Sequence, residues 1–323
     1  MSTIFAAIDV GQKVVAMELI DILKQNLIMY KTSKIQPVKK GSNSKTVIFR
    51  GFNKLSLALT PLIEGVTPSG SNLTMNSITV VLSQYGDFTR ITDVAEFLYD
   101  RSLIKDASDV LGIQATETID TTIMNVVAAG TNVVYGDGTV STRATVTQAM
   151  VLTTKLITRY VRWLERNNVK KFPAMPIIGK AYALVTHPDV IADLRQDTGF
   201  VAAVNYSSPN PANEFRGDLF TGEVGYWMGA RVISTTIAPV YVGAGSAGAD
   251  IYAVLVYGEG AYGVSEFAGG LSTYIHTGGV QDTNNPLEQY STVGWKWEGA
   301  TAILDNNRLV RGEVGATLEG GNA

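Results

Sequence analysis

The chain has 323 residues, 46% of them apolar and only 17% charged, with a formal net charge of −3. That apolar share supports a sizeable core of one or two domains and argues against global disorder, while the charge balance excludes a globally basic nucleic-acid binder. Cysteine is absent and histidine occurs only as His187 and His276, which removes disulfide, thiolate–zinc and cysteine-nucleophile chemistry and leaves little material for a histidine metal site.

No signal peptide is read at the start, where Asp9 interrupts the apolar residues and no basic region precedes them. The longest uncharged stretch, 232–249, contains Pro239 and several glycines, a poor membrane helix. The expectation is a soluble protein made in a cytoplasm, with no membrane partner. So low a charged fraction also suits a surface partly hidden against other chains.

In chain order, Val14, Ile20, Leu23 and Leu27 predict an amphipathic helix over 13–29. Residues 31–54 then carry seven basic side chains and no acid: Lys31, Lys34, Lys39, Lys40, Lys45, Arg50 and Lys54. Two period-two runs follow. Leu55, Leu57 and Leu59 alternate with small or polar residues, and so do Ile78, Val80 and Leu82 with theirs. The turn-rich segment between them, with Glu64, Gly65, Pro68 and Gly70, makes a long β-hairpin. Such a hairpin has too few apolar side chains for a core of its own and must lie on something else.

Asp93 and Glu96 predict a helix start as a capping-box variant. Helical spacing runs from Val94 to Val127 and stops at Gly130, with Gly112 as a possible kink. If continuous, that helix measures about 50 Å. Tyr135-Gly-Asp-Gly138 reads as a turn. A second long helix is predicted over 147–167, with Leu156, Ile157, Tyr160, Val161 and Leu164 on its apolar side. Strands follow at 181–186, 232–237, 251–257 and 289–303, with Pro188 opening a short helix. The Gly-rich tail after Gly315 is expected to fray. Strands and helices are partly segregated, which predicts an α+β fold.

Candidate chemistry is sparse. Gly243-Ala-Gly-Ser-Ala-Gly248 and Gly258-Glu-Gly-Ala-Tyr-Gly263 both match G-x-G-x-x-G. A phosphate site needs a helix after the glycines, and neither match has one, so both read as turns. His187 reads as a residue at a helix start, and His276 has no ligand spacing around it. The carboxylate pairs Asp106/Asp109 and Glu117/Asp120 read as solvated helix faces rather than cation sites. Lys155, Arg159, Arg162 and Arg166, at steps of four, three and four, form one basic helical stripe. It reads equally as a solvated face or as a contact for an acidic neighbour or nucleic-acid phosphate. No catalytic, metal or cofactor site is assigned. What is developed instead is architecture: a basic arm, a projecting hairpin and long helices on a low-charge body.

Four segments in order carry a resemblance. They are Leu59-Thr-Pro-Leu-Ile-Glu-Gly-Val-Thr-Pro68 with Ile78-Thr-Val-Val-Leu-Ser-Gln-Tyr-Gly-Asp-Phe-Thr-Arg-Ile-Thr-Asp93; Thr221-Gly-Glu-Val-Gly225 with Gly229-Ala-Arg-Val232; Val256-Tyr-Gly-Glu-Gly-Ala-Tyr-Gly263; and Asn285-Pro-Leu-Glu-Gln-Tyr-Ser-Thr-Val-Gly-Trp-Lys296. Over roughly 35–305 the chain resembles the major capsid proteins of tailed bacteriophages, of the N4-like family.

The resemblance implies the Hong Kong 97-type capsid fold. Residues 1–44 would be an N-terminal helix and basic N-arm, 45–92 the E-loop hairpin, 93–145 a peripheral domain with its spine helix, 146–263 the axial domain, and 264–323 a return to the peripheral domain and the tail. It implies a structural protein, not an enzyme, that forms pentamers and hexamers and closes an icosahedral shell around double-stranded DNA. Leu55, Leu57, Leu59, Glu64, Pro68, Ile78, Val80 and Leu82 would touch a neighbouring subunit. Lys31, Lys34, Lys39, Lys40, Lys155, Arg159, Arg162 and Arg166 would face a neighbour or DNA. Further implied partners are a portal, a separate scaffolding protein and a decoration protein, with assembly in a bacterial host's cytoplasm and residence in the virion capsid. The rival readings are a decoration or other oligomeric structural protein and a nucleotide-binding enzyme built on the Gly-rich loops.

Overall fold

The computed structural model describes residues 27–38, 45–62, 64–67, 70–99, 103–173, 180–200, 223–276, 287 and 289–317. Most of the helix expected over 13–29 lies outside these residues, as do Lys39, Lys40 and Pro68.

The described chain begins with a helical turn α1 (Met29–Thr32) and strand β1 (Lys34–Val38). A hairpin follows, β2 (Thr46–Phe52) and β3 (Met75–Val81), then strand β4 (Ser83–Thr92), helix α2 (Asp93–Leu98) and the long helix α3 (Leu103–Ala128). Next come β5 (Val133–Tyr135), helix α4 (Thr154–Arg166), β6 (Tyr182–Thr186) and helix α5 (Pro188–Leu194). The rest is strand apart from two short 3-10 turns at Ser246–Gly248 and Asn306–Arg308: β7 (Glu223–Trp227), β8 (Ala230–Ser234), β9 (Val240–Tyr241), β10 (Ile251–Tyr257), β11 (Tyr262–His276), β12 (Tyr290–Ile303) and β13 (Leu309–Val314). The expected α+β class is what this order makes.

Two sheets and the hairpin organise it. The larger sheet runs β5-β13-β10-β6-β8-β7, with β9 pairing a further part of β10. Its central strand β10 reads Ile-Tyr-Ala-Val-Leu-Val-Tyr and is buried at every position, the pattern of a strand covered on both faces. Tyr252, Val254 and Val256 meet Leu156, Tyr160 and Leu164 of α4 and Val190 and Leu194 of α5. Leu255 and Tyr257, pointing the other way, join the core built around α3. Each such side chain fully buried contributes roughly 1.5–3 kcal/mol.

The second sheet has the order β1-β11-β12-β4. Val293, Trp295 and Trp297 of β12 sit at period-two spacing and are buried against Leu111, Ala115, Ile119 and Ile123 of α3. The helix therefore lies between this sheet and one face of the larger one. β1 is parallel to β11, with Lys34 opposite Gly263 and Val38 opposite Phe267. This sheet thus joins segments from both ends of the described chain.

Several expectations need correction. The helix expected from Asp93 onward is two helices, because Tyr99 adopts an extended backbone after α2. Gly112 does not break α3; it is buried inside it. The cap of α2 is Thr92, whose hydroxyl accepts from the Ala95 N–H, and Asp93 and Glu96 fill the first turn instead. The second long helix starts at Thr154, capped by Thr153, rather than at 147. Beyond Gly315 the chain is still held: Ala316 is buried and the Thr317 N–H donates to Asp193. β13 was not anticipated, because Arg311, Gly312 and Glu313 break its apolar pattern. In the fold Glu313 is wholly buried, with Arg143 donating to both of its oxygens at 2.6 and 2.7 Å. Arg311 Nε lies 3.0 Å from the same carboxylate, without hydrogen-bond alignment.

Candidate interaction surfaces

The hairpin is mounted at one end only. Val47 and Phe49 of β2 are buried and lie opposite Val80 and Ile78 of β3. Phe49 sits over Gly263 of β11, a position where a Cβ would crowd its ring, and this fixes the root to the smaller sheet. On one side of the root a polar cleft of about 400 Å³, lined by Lys34, Arg50, Asp305 and Arg308, separates hairpin from body. At the far end of the pairing, Asn53 N–H donates to the Thr74 carbonyl, Asn53 Nδ2 to Thr74 Oγ1, and Asn76 Nδ2 to Asn53 Oδ1.

Beyond that polar clasp the chain leaves the sheet. The strand predicted at Leu55–Leu57–Leu59 is not one, since residues 53–59 are in no sheet; the paired arm is Thr46–Phe52. The reason is physical: period-two patterning reports a half-buried surface, and this segment has no sheet partner among the described residues. Leu57 is 70% exposed, Leu59 82% and Leu62 76%, with Leu55 and Glu64 exposed beside them. Ile78, Val80 and Leu82 differ, being half-buried within the chain itself. The expected hairpin stripe therefore divides into a half-buried part that holds the root and an exposed part that nothing among the described residues covers.

The arm that precedes the hairpin is gripped by a buried acid. Asp120, on the core side of α3, accepts from the backbone N–H groups of Ile28 at 2.8 Å, Met29 at 3.3 Å and Tyr30 at 3.3 Å. Burial pushes its pKa up to about 6, against the opposing pull of those three amides and of Lys31. Tyr262 OH donates to the Met29 carbonyl, Thr32 Oγ1 lies 2.6 Å from that hydroxyl, and Tyr30 OH donates to Glu266 at 2.7 Å. Burial and Glu266 together raise Tyr30's pKa well above the usual tyrosine range. The solvated face expected for Glu117/Asp120 is thus corrected: Glu117 is exposed, Asp120 is not. A signal was available, because Thr116, Asp120, Ile123 and Val127 share one helical line. Lys31 and Lys34 are both exposed.

Lys155, Arg159, Arg162 and Arg166 all lie exposed on the outer side of α4. Arg159 donates to the Asp137 carbonyl at 3.3 Å. Lys155, Arg162 and Arg166 have no ion-pair partner among the described residues, while nearby Glu165 is taken by Lys171.

The Gly-rich loops turn strand into strand. The 243–248 segment lies between β9 and β10, and the 258–263 segment runs from the turn after β10 into the start of β11. His187 caps α5, its Nδ1 3.3 Å from the Asp189 N–H and 3.1 Å from Asp189 Oδ2. His276 is the last residue of β11. Among the described residues no group of acids and histidines could hold a metal ion, and no helix is long and apolar enough to cross a membrane.

Comparison with known proteins gives a consistent picture. The family described as phage capsid protein matches residues 75–308. No curated protein sequence matches. Among solved structures the chain is similar to the capsid of Ralstonia phage GP4, at 15% identity and a TM-score of 0.68, covering 93% of each chain. It is similar to the cyanophage Pam1 capsid at 15% identity and TM-score 0.65, over 89% of this chain and 90% of that one. The head structure of Helicobacter pylori bacteriophage KHP40 follows at 14% identity and TM-score 0.61, over 87% of each.

Proposed function

We propose, from the premise that this chain belongs to the phage capsid protein family, that it is the major shell subunit of a tailed double-stranded DNA bacteriophage. Its fold is the Hong Kong 97-type capsid fold. It is a structural protein, and its place is the virion capsid. The observation that carries the finer reading is the exposed apolar arm of the hairpin: several exposed leucines in a row, on a segment with no sheet partner among the described residues, suit a surface supplied by another chain.

In this reading residues 45–92 hold the E-loop, and its outward face with Leu55, Leu57, Leu59 and Glu64 reaches a neighbouring subunit. Copies associate as pentamers and hexamers and close an icosahedral shell. The long helix α3 is the spine of the peripheral domain, and 146–263 form the axial domain. The basic stripe of α4, with three cations that lack a partner among the described residues, supplies non-specific contacts to packaged DNA phosphate or to a neighbour. Portal, scaffolding and decoration partners, assembly in the host cytoplasm and membership of the N4-like group belong to the same proposal. The four ordered motifs support that last point.

Deleting residues 64–72 tests the reading directly. The expected result is a folded subunit that forms few rings or shells by light scattering and negative-stain microscopy. Normal shells from the deleted chain would refute the assignment of the hairpin. Reversing Arg159 and Arg162 to Glu should weaken packaging or assembly in a salt-dependent way. Unchanged assembly, packaging and salt response would return the stripe to plain solvated surface.

A further inference from the structure

Cations from three separate elements line the cleft at the hairpin root. Lys34 comes from β1, Arg50 from β2 and Arg308 from the turn before β13, and all three border the same space of about 400 Å³. The one carboxylate on its described walls, Asp305, is already engaged. Its Oδ2 accepts from Arg308 Nε at 3.1 Å, and its Oδ1 accepts from the Asn307 N–H at 2.9 Å. Arg308 Nη1 donates to the Glu259 carbonyl at 3.2 Å, which leaves Nη2 without a partner among the described residues. The side chains of Lys34 and Arg50 have neither an ion pair nor a hydrogen bond among those residues. Gln36 and Asn307 add side-chain amides to the same walls. Charges of one sign gathered around a cleft concentrate ions of the other sign within it.

Where these cations are mounted gives the cleft its meaning. The hairpin root meets the body at Phe49, whose ring shares with the Lys34 carbonyl the space above Gly263. Arg50 follows Phe49 and lies opposite Ser77 of β3, so it moves with the hairpin. Lys34, opposite Gly263 of β11, and Arg308 belong to the body. An anion held by all three is therefore a bridge between hairpin and body. Without it like charges face one another across the cleft, and with it the same charges draw the walls together. A planar carboxylate offers two oxygens in one plane. A tetrahedral oxyanion offers its oxygens in separate directions, which suits donors arriving from three elements. Guanidinium groups take two such oxygens at once and lysine serves as a point charge.

We propose that the cleft at the hairpin root binds a phosphate-class oxyanion, held by Lys34, Arg50 and Arg308, that ties the hairpin to the body of its own chain. The site is complete within one subunit, so it stands apart from the shell-building reading. Free phosphate and the backbone phosphate of a nucleic acid share this chemistry, and two probes separate them.

Amide hydrogen exchange of the purified full-length chain reads the site. Inorganic phosphate is titrated against chloride at matched ionic strength, and a short DNA duplex is titrated separately. Phosphate is expected to slow exchange saturably in 46–52 and 75–81 of the hairpin and in 304–309 of the body, by roughly fivefold at saturation. Lys34→Gln and Arg50→Gln should each raise the half-saturating concentration about tenfold. Lys180→Gln, which removes an exposed cation elsewhere, should titrate like wild type. Slowing by inorganic phosphate assigns the site to the free anion. Slowing by the duplex alone, at equal phosphate concentration, assigns it to a nucleic-acid backbone. Exchange at the root that neither probe changes relative to chloride overturns the site. So does slowing that persists undiminished in a chain carrying both Lys34→Gln and Arg50→Gln.

Discussion

Strand β10 and the segment from Lys54 to Leu62 are both rich in aliphatic side chains, and they meet opposite fates. Every residue of β10 is buried, because β13 and β6 pair with its two edges while α3 and α4 cover its two faces. The leucines at 55, 57, 59 and 62 are all exposed. Residue type does not separate the two segments; the chain's own topology does. Hydrophobicity says that a surface will be covered, and only the fold says whether the cover comes from the same molecule.

That contrast can be broken or sharpened by substitution. The largest effect is expected at the buried carboxylate of β13, on the self-covered side. Glu313→Gln leaves Arg311 in the interior and Arg143 beside it without their anion, and should destabilise the isolated subunit by about 3–5 kcal/mol in chemical denaturation. A loss below about 1 kcal/mol would mean that solvent reaches the cluster. Next comes Ile123→Ala, which empties a wholly buried position between α3 and the sheets. The expected cost is about 2–5 kcal/mol. Both changes should abolish assembly only because they unfold the subunit.

Asp120 gives an intermediate effect with a definite sign. Its carboxyl pKa is raised to about 6 in the folded chain, above the ordinary value of 3.8. Between those values the folded state holds a proton that the unfolded state has released. The contribution is therefore fully present below about pH 4 and is lost as pH rises toward 6, with a slope of up to about 1.4 kcal/mol per pH unit. Denaturation midpoints of wild type and Asp120→Asn across pH 4–7 should differ in slope over that window. Parallel curves would remove the buried charge from the arm's mounting.

The smallest expected effect on the subunit is the most informative for assembly. Leu57→Ala should change subunit stability by no more than about 0.5 kcal/mol, as for other exposed side chains. Its yield of rings and shells should fall all the same. A stability loss comparable to that of Ile123→Ala would place Leu57 in its own chain's core and erase the contrast.

Much of the self-covered half was legible in the sequence. The apolar side of α4, the unbroken run of β10, Pro188 at a helix start and the two glycine loops as turns all follow from local patterning that the fold satisfies locally. What escaped has one cause. The paired strand Thr46–Phe52 carries apolar residues at both parities, Val47 and Phe49 buried, Ile48 and Phe52 exposed, so its alternation is blurred. The cleaner alternation of Leu55, Leu57 and Leu59 drew the strand assignment instead. β13 was hidden by a charged pair that is buried only because Arg143 arrives from a distant turn. Asp120 lay on the core line of its helix, but its three amide partners come from the far end of the described chain. The candidate contact surface was legible as a hairpin in need of support; which of its faces the chain supports itself was not.

The parallel pairing of β1 with β11 has a consequence in time. Position 34 leaves the ribosome long before position 263, by an interval on the order of tens of seconds at ordinary rates of synthesis. Until β11 exists, β1 has no ladder to join, Phe49 has no Gly263 to rest on, and the hairpin has no mounting. A nascent chain therefore carries the exposed leucine segment before the sheet that mounts it has formed. Only a chain synthesised through β11 can present the hairpin at a fixed angle, so the order of synthesis delays its mounting until most of the subunit is made.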